Sequence, residues 1–164
     1  MTLKKTTSRK YLQSIKLIYF LFVLLPTLIL ACAIYLYMHG FSLENTTRNN
    51  YIFIGIAVFI TVLSITQGIY IYRKILNKIK SSPNLLEKLY VFRSALIIRY
   101  TLIEGACLLS AIAFMYSGNI IALALAAAVC IYFISLFPTA HKIMAHLDLN
   151  EQERILLNDP KAIL

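Results

Sequence analysis

The chain has 164 residues, 60% of them hydrophobic and only 14% charged, with a formal charge of +9. Soluble domains carry about a quarter charged residues, and a fold this small has too much surface to hide so apolar a composition. A soluble single domain is therefore excluded in favour of one that lipid covers, as a mean hydropathy of +0.75 also indicates.

Four apolar runs organise the sequence: 17–37, 51–72, 95–116 and 119–137. Each is about 20 residues, the length a helix needs to cross the hydrocarbon layer. Backbone groups in lipid must be satisfied within the segment, so each run is expected as a helix. The fold class expected is all-α: an integral membrane bundle of four transmembrane helices, arranged as two tandem hairpins with both termini inside.

The N-terminal segment 1–16 carries Lys4, Lys5, Arg9, Lys10 and Lys16. In the first run, Pro26 is followed by Thr27, and Ala31-Cys32-Ala33 superficially resembles a cleavage site. The apolar run continues through Leu36, so a retained span is expected rather than a cleaved leader. Met38–Asn50 forms a short polar connection, and the second run places Ala57, Thr61, Ser64 and Gly68 on one face with Gln67 nearby. Small residues let helices approach closely, and the polar ones hydrogen-bond across the contact. Tyr19, Tyr35, Tyr37, Tyr51, Tyr70, Tyr72, Tyr100 and Tyr116 cluster near the ends of runs, as interfacial aromatic belts do.

The connector between runs two and three holds Arg73, Lys74, Lys78, Lys80, Lys88 and Arg93 around a break at Ser81-Ser82-Pro83-Asn84. With Lys142, Arg154 and Lys161 in the tail, 14 of the 16 basic residues flank one side, against Arg48 alone on the other. The positive-inside rule then places both tails and the connector in the cytoplasm, and the protein in the cell inner membrane. Anionic lipid is the partner expected at the basic loop; nucleic acid is not, because the cations line membrane edges rather than one soluble face.

The third run contains Arg99-Tyr100-Thr101-Leu102-Ile103-Glu104-Gly105. Embedded ionisable residues are costly and normally face a bundle interior or water. Arg99, about one turn from the edge, can snorkel; Glu104, near the midplane, cannot do so as easily. A buried polar or ion-coupling cluster of Glu104, Arg99, Thr101, Ser64, Gln67 and Thr27 is the expectation. Two readings of Glu104 stay open: a proton- or cation-binding group, and a carboxyl that holds helices in register. Arg99 and Glu104 are about 140° apart around the helix, which is poor geometry for a direct pair.

Gly118 supplies a positive φ for the tight turn into the fourth run, where Ala124 and Ala128 form a small-residue packing face. After Pro138, the tail 138–164 has apolar positions at Ile143, Met144, Leu147 and Leu149. Asn150 with Glu153 is the pattern of a helix start, closed by Asn158-Asp159-Pro160. These short helices are expected to lie on the inner membrane surface or on a neighbouring protein.

The motif R-x-x-x-x-E-G from Arg99, with F-P-T-x-x-K-I-x-x-x-L-x-L from Phe137, resembles small four-span bacterial membrane proteins, a resemblance that implies the fold and no activity. A fainter similarity to ATPase proteolipid subunits rests on hairpins and a mid-span carboxylate, here Glu104; the chain departs from them in having only five glycines. Cys32, Cys107 and Cys130 all lie in runs and read as small buried hydrophobes, without metal-ligand spacing. His141 and His146 lack a third ligand at a recognisable spacing, and neither a phosphate loop nor a nucleophile–base set is present. No metal, cofactor or enzymatic activity is expected. The function expected is an accessory or interaction subunit, associating with other membrane proteins or with itself; a small transporter using Glu104 is the alternative.

Overall fold

The structure, a computed structural model, describes residues 7–40, 47–80, 82, 84–159 and 162. Lys4, Lys5, Ser81, Pro83, Lys161 and the middle of the first long connection lie outside the described residues. Six helices follow one another: α1 (Ser8–Met38), α2 (Thr47–Ile79), α3 (Leu85–Ser117), α4 (Ile120–Ser135), α5 (Ala140–Leu147) and α6 (Glu151–Asn158). No strand occurs among the described residues. Helices α1, α2 and α3 are long and apolar enough to cross a membrane, and α4 joins them if it is taken with α5, from which it is bent by 82°. The described residues are thus all-helical, with three or four helices that could span a membrane, as in a membrane protein.

The helices start and stop where local chemistry directs them. Asn84 caps α3 by accepting the Leu86 N–H at 3.0 Å, and Asn119 caps α4 by accepting the Ile121 N–H at 2.9 Å. Gly118 ends α3 in the left-handed region at φ 60°, its N–H bonded to the Phe114 carbonyl at 2.8 Å. A Cβ there would also press to 3.2 Å from the Tyr37 ring, so this glycine has a packing reason as well as a conformational one. Hydroxyls with no other partner fold back on their own helices, as Thr66 does onto Val62 and Leu63, because apolar surroundings offer no other acceptor.

Helix α3 is the axis of the bundle. It is buried at Leu89, Phe92, Ala95, Leu96, Tyr100, Ile103, Ala106, Cys107, Ser110, Ala111 and Phe114, which form one broad stripe along its whole length. Helices α2, α4 and α1 pack around it, and α4 also touches both α1 and α2. The tandem-hairpin expectation differs from this arrangement. Helices α1 and α2 are consecutive in sequence but barely touch, because each buries its apolar stripe against α3 instead. The sector of α3 left open therefore lies between α1 and α2.

The tail is docked on the bundle's own helix ends. Ile143, Leu147, Leu149 and Leu157 join the main core with Ile15, Leu76 and Leu89. Lys88 of α3 reaches Glu153 of α6 at 2.9 Å, with side chains 5% and 14% exposed. The Ser8 hydroxyl donates to the Leu156 carbonyl at 2.7 Å, and the Ser8 N–H to the Ala162 carbonyl at 3.1 Å. Glu153 also accepts the Asn150 N–H at 2.9 Å, closing the α6 start foreseen from the sequence. Ile155 and Leu156 of α6 stay exposed on the outer side of the docked tail.

Candidate functional site

The end of the bundle that carries the tail contains a crevice of about 630 Å³. Its charged lining is Arg73 from α2 and Lys80 just after it, Arg99 from α3, and Lys142 with His146 from α5; none of the described lining residues is acidic. Apolar walls come from Ile69 and Leu76 on one side and from Leu136 and Ile143 on the other.

The bend after α4 makes this space. An α-helix leaves its last carbonyls without partners, and here they are claimed from three directions. Tyr19 of α1 donates to the Phe133 and Ile134 carbonyls at 3.3 and 3.0 Å. Tyr100 of α3 donates to the Leu136 carbonyl at 3.4 Å, and Lys142 Nζ donates to the Ser135 and Phe137 carbonyls at 3.1 Å each. Thr139 then starts α5 by accepting the Lys142 N–H at 3.3 Å. Tyr19 and Tyr100 were expected at the interface. They instead sit in the core, ring centres 5.7 Å apart, with Phe133 against both.

Arg99 forms the deep end of the crevice. Its Nη2 donates to the Tyr132 hydroxyl at 3.1 Å, and its guanidinium carbon lies 5.0 Å from the Tyr72 ring centre. Its Nε is buried and meets no acceptor, and no carboxylate pairs with it among the described residues. Gly68 of α2 packs against it: a Cβ there would sit 3.7 Å from Arg99 Cγ, an ordinary contact distance. The Tyr72 hydroxyl and His146 Nδ1 are 2.7 Å apart, tying α2 to α5. Partial burial, with the nearby charges of Arg99, Lys142 and Lys80, holds His146 below the usual imidazole range.

Glu104 lies elsewhere, half-buried on α3, and lines neither this crevice nor a second one beside α2. It makes no hydrogen bond or ion pair among the described residues. The residues expected around it are dispersed. Thr101 is exposed and donates to the Ile97 carbonyl at 3.0 Å; Thr27 donates to Val23 and Leu24 at 2.9 and 2.8 Å; Gln67 is exposed and Ser64 half-buried. A strip comprising Ile98, Thr101, Leu109 and Ile112 is exposed along α3, with open space around Gly105. Glu104 stands at the margin of this strip, three residues after Thr101.

Of the packing residues, Ala57, Thr61 and Gly68 are buried, and Thr61 shares a hydrogen bond with Ser110 at 3.2 Å. Ala124 and Ala128 face outward. The register of α4 turns Ala122, Ala126, Val129 and Phe133 inward, and residues two positions away project from the opposite side. Cys107 and Cys130 bring their sulfurs to 3.1 Å across α3 and α4, a contact their separate positions in the sequence did not disclose.

The crevice as a unit was missed in the sequence, although its parts carried a signal. Arg73, Asn77 and Lys80 are spaced to share a face of α2, as are Lys142 and His146 on α5. What joins the two faces is the bend at Pro138. Compared with protein-family models, curated proteins and solved structures, the chain matches none.

Proposed function

We propose that the protein is a four-span accessory or interaction subunit of the cytoplasmic membrane, with both termini on the cytoplasmic side. The observation that carries this reading is Glu104: a carboxyl near mid-span, without a hydrogen-bond or ion-pair partner among the described residues, beside an open strip of α3. A carboxyl at the centre of a membrane helix is disfavoured by about 2.5–3.5 kcal/mol. A transmembrane segment of another protein, offering a hydrogen-bond donor to Glu104, would relieve that penalty and cover Ile98, Thr101 and Leu109 between α1 and α2.

The position of the ends supports the four-span reading. Ser8 bonds to Leu156 and Ala162, so the start of α1 and the tail lie together. Ends on one side favour an even number of crossings, with α4 as the fourth. The basic connector supports the cytoplasmic orientation. A transporter using Glu104 gains no support from the crevices, neither of which the residue lines.

The test places a photo-crosslinking amino acid at Thr101 in native membranes. The expected outcome is an adduct with a second membrane protein that Glu104→Gln retains and Glu104→Leu abolishes. The same crosslinker at Ala124 should capture lipid alone. Adducts of twice the chain's mass would replace the accessory reading by self-association. Proton flux in liposomes that depends on Glu104, with no adduct, would favour the transporter.

A further inference from the structure

The geometry points to a binding site for the phosphate headgroup of an anionic lipid in the crevice between α2, α3 and α5. This assignment is independent of Glu104 and of any partner protein.

Basic residues at a membrane edge are ordinary, and Arg73 and Lys80 alone would be two of them. Arg99 and the concavity make the difference. Arg99 sits about one turn inside its apolar run, without a carboxylate among the described residues, its cationic face held over Tyr72 at 5.0 Å. Tyr72 in turn fixes His146 at 2.7 Å, and Lys142 is tied to the α4 end by two bonds of 3.1 Å. The site is thereby assembled before any ligand arrives. Four cations converge on one space with no acid among its lining residues. Like charges so placed repel one another, and an anion between them removes the repulsion. Guanidinium and ammonium groups together suit phosphate oxygens, the first through its planar fork and the second as a point charge.

The surroundings favour a lipid as the source of that phosphate. A volume of about 630 Å³ accommodates a phosphate and glycerol, and Ile69, Leu76 and Leu136 provide apolar wall beside the cations. A second crevice of about 650 Å³ on the flank of α2 shares Ile69, Arg73 and Asn77 with the first and continues to Thr66. Beyond Thr66, the exposed Val62 and Leu63 of α2 offer apolar surface to the acyl chains. Basic pockets between membrane helices at the charged edge are the sites where anionic headgroups are held.

Full-length protein in nanodiscs tests the assignment, with phosphatidylcholine alone compared with phosphatidylcholine plus phosphatidylglycerol. Thermal unfolding and native mass spectrometry give the readouts. Phosphatidylglycerol is expected to raise the unfolding temperature and to remain bound. Affinity should fall about five-fold for each of Arg73→Gln and Lys80→Gln, both exposed positions that keep the fold. Arg99→Gln should reduce it further, and Lys10→Gln with Lys16→Gln, basic positions outside the crevice, should leave it unchanged. Equal protection by inorganic phosphate alone would assign the site to a soluble phosphate compound and overturn the lipid. Indifference to phosphatidylglycerol, or a preference lost only in the Lys10/Lys16 variant, would overturn the site.

Discussion

At the scale of single residues, His146 carries a measurable consequence. Its imidazole is held below its ordinary range by partial burial and by Arg99, Lys142 and Lys80; Arg73 and Tyr72 complete its surroundings. The unfolded chain therefore binds a proton more readily than the folded one. Stability from this group is fully present above about pH 6.5 and declines as the pH falls from there towards the folded value. In detergent, the unfolding temperature should drop between pH 7.5 and 5.5, and His146→Gln should lose that part of the drop. An unchanged profile in the variant would contradict the packing around Tyr72. Glu104 and Arg99 were visible in the sequence because charge is conspicuous in an apolar run. Their neighbours were not, since helix rotation decides whether Thr101 turns towards Glu104 or away from it, and the rotation comes from packing around Tyr100 and Ala106.

At the scale of elements, the helices were legible and their assembly was not. The four apolar runs all became helix, but α3 begins at Leu85, ten residues before the apolar run opening at Ala95. Counting apolar residues stops at charges, whereas the helix continues through Glu87, Lys88 and Arg93 with Leu89 and Phe92 facing inward. Asn150 and Glu153 gave α6 its start from the sequence alone. Its docking depends on Lys88, 65 residues away, which no local pattern announces. Removing one member of a buried ion pair costs about 3–5 kcal/mol. Glu153→Ala should free the tail, seen as faster protease cleavage between α5 and α6 in detergent, while α1–α4 stay helical by circular dichroism. Cleavage at the wild-type rate would show that the Leu149 and Leu157 contacts hold the tail without the pair.

At the scale of the whole molecule, α3 organises everything else. It presents Arg99 to α2, Tyr100 to α1 and α4, and Lys88 to the tail, and it leaves one strip open. Composition was enough to assign the solvent as lipid, because so small a chain could not bury these runs by itself. The central position of α3 was beyond reach, since α1, α2 and α4 are all apolar enough to have taken it.

The most direct measurement is thiol labelling of intact cells with a membrane-impermeant maleimide, in a chain lacking Cys32, Cys107 and Cys130. Ser117→Cys, at the turn into α4, should react at once, and Ser82→Cys, in the basic connector, only after the membrane is permeabilised. Reaction of Ser82→Cys in unbroken cells, or both thiols reacting alike in a protein that stays dissolved without detergent, would contradict a bundle that crosses the bilayer with its basic end inside.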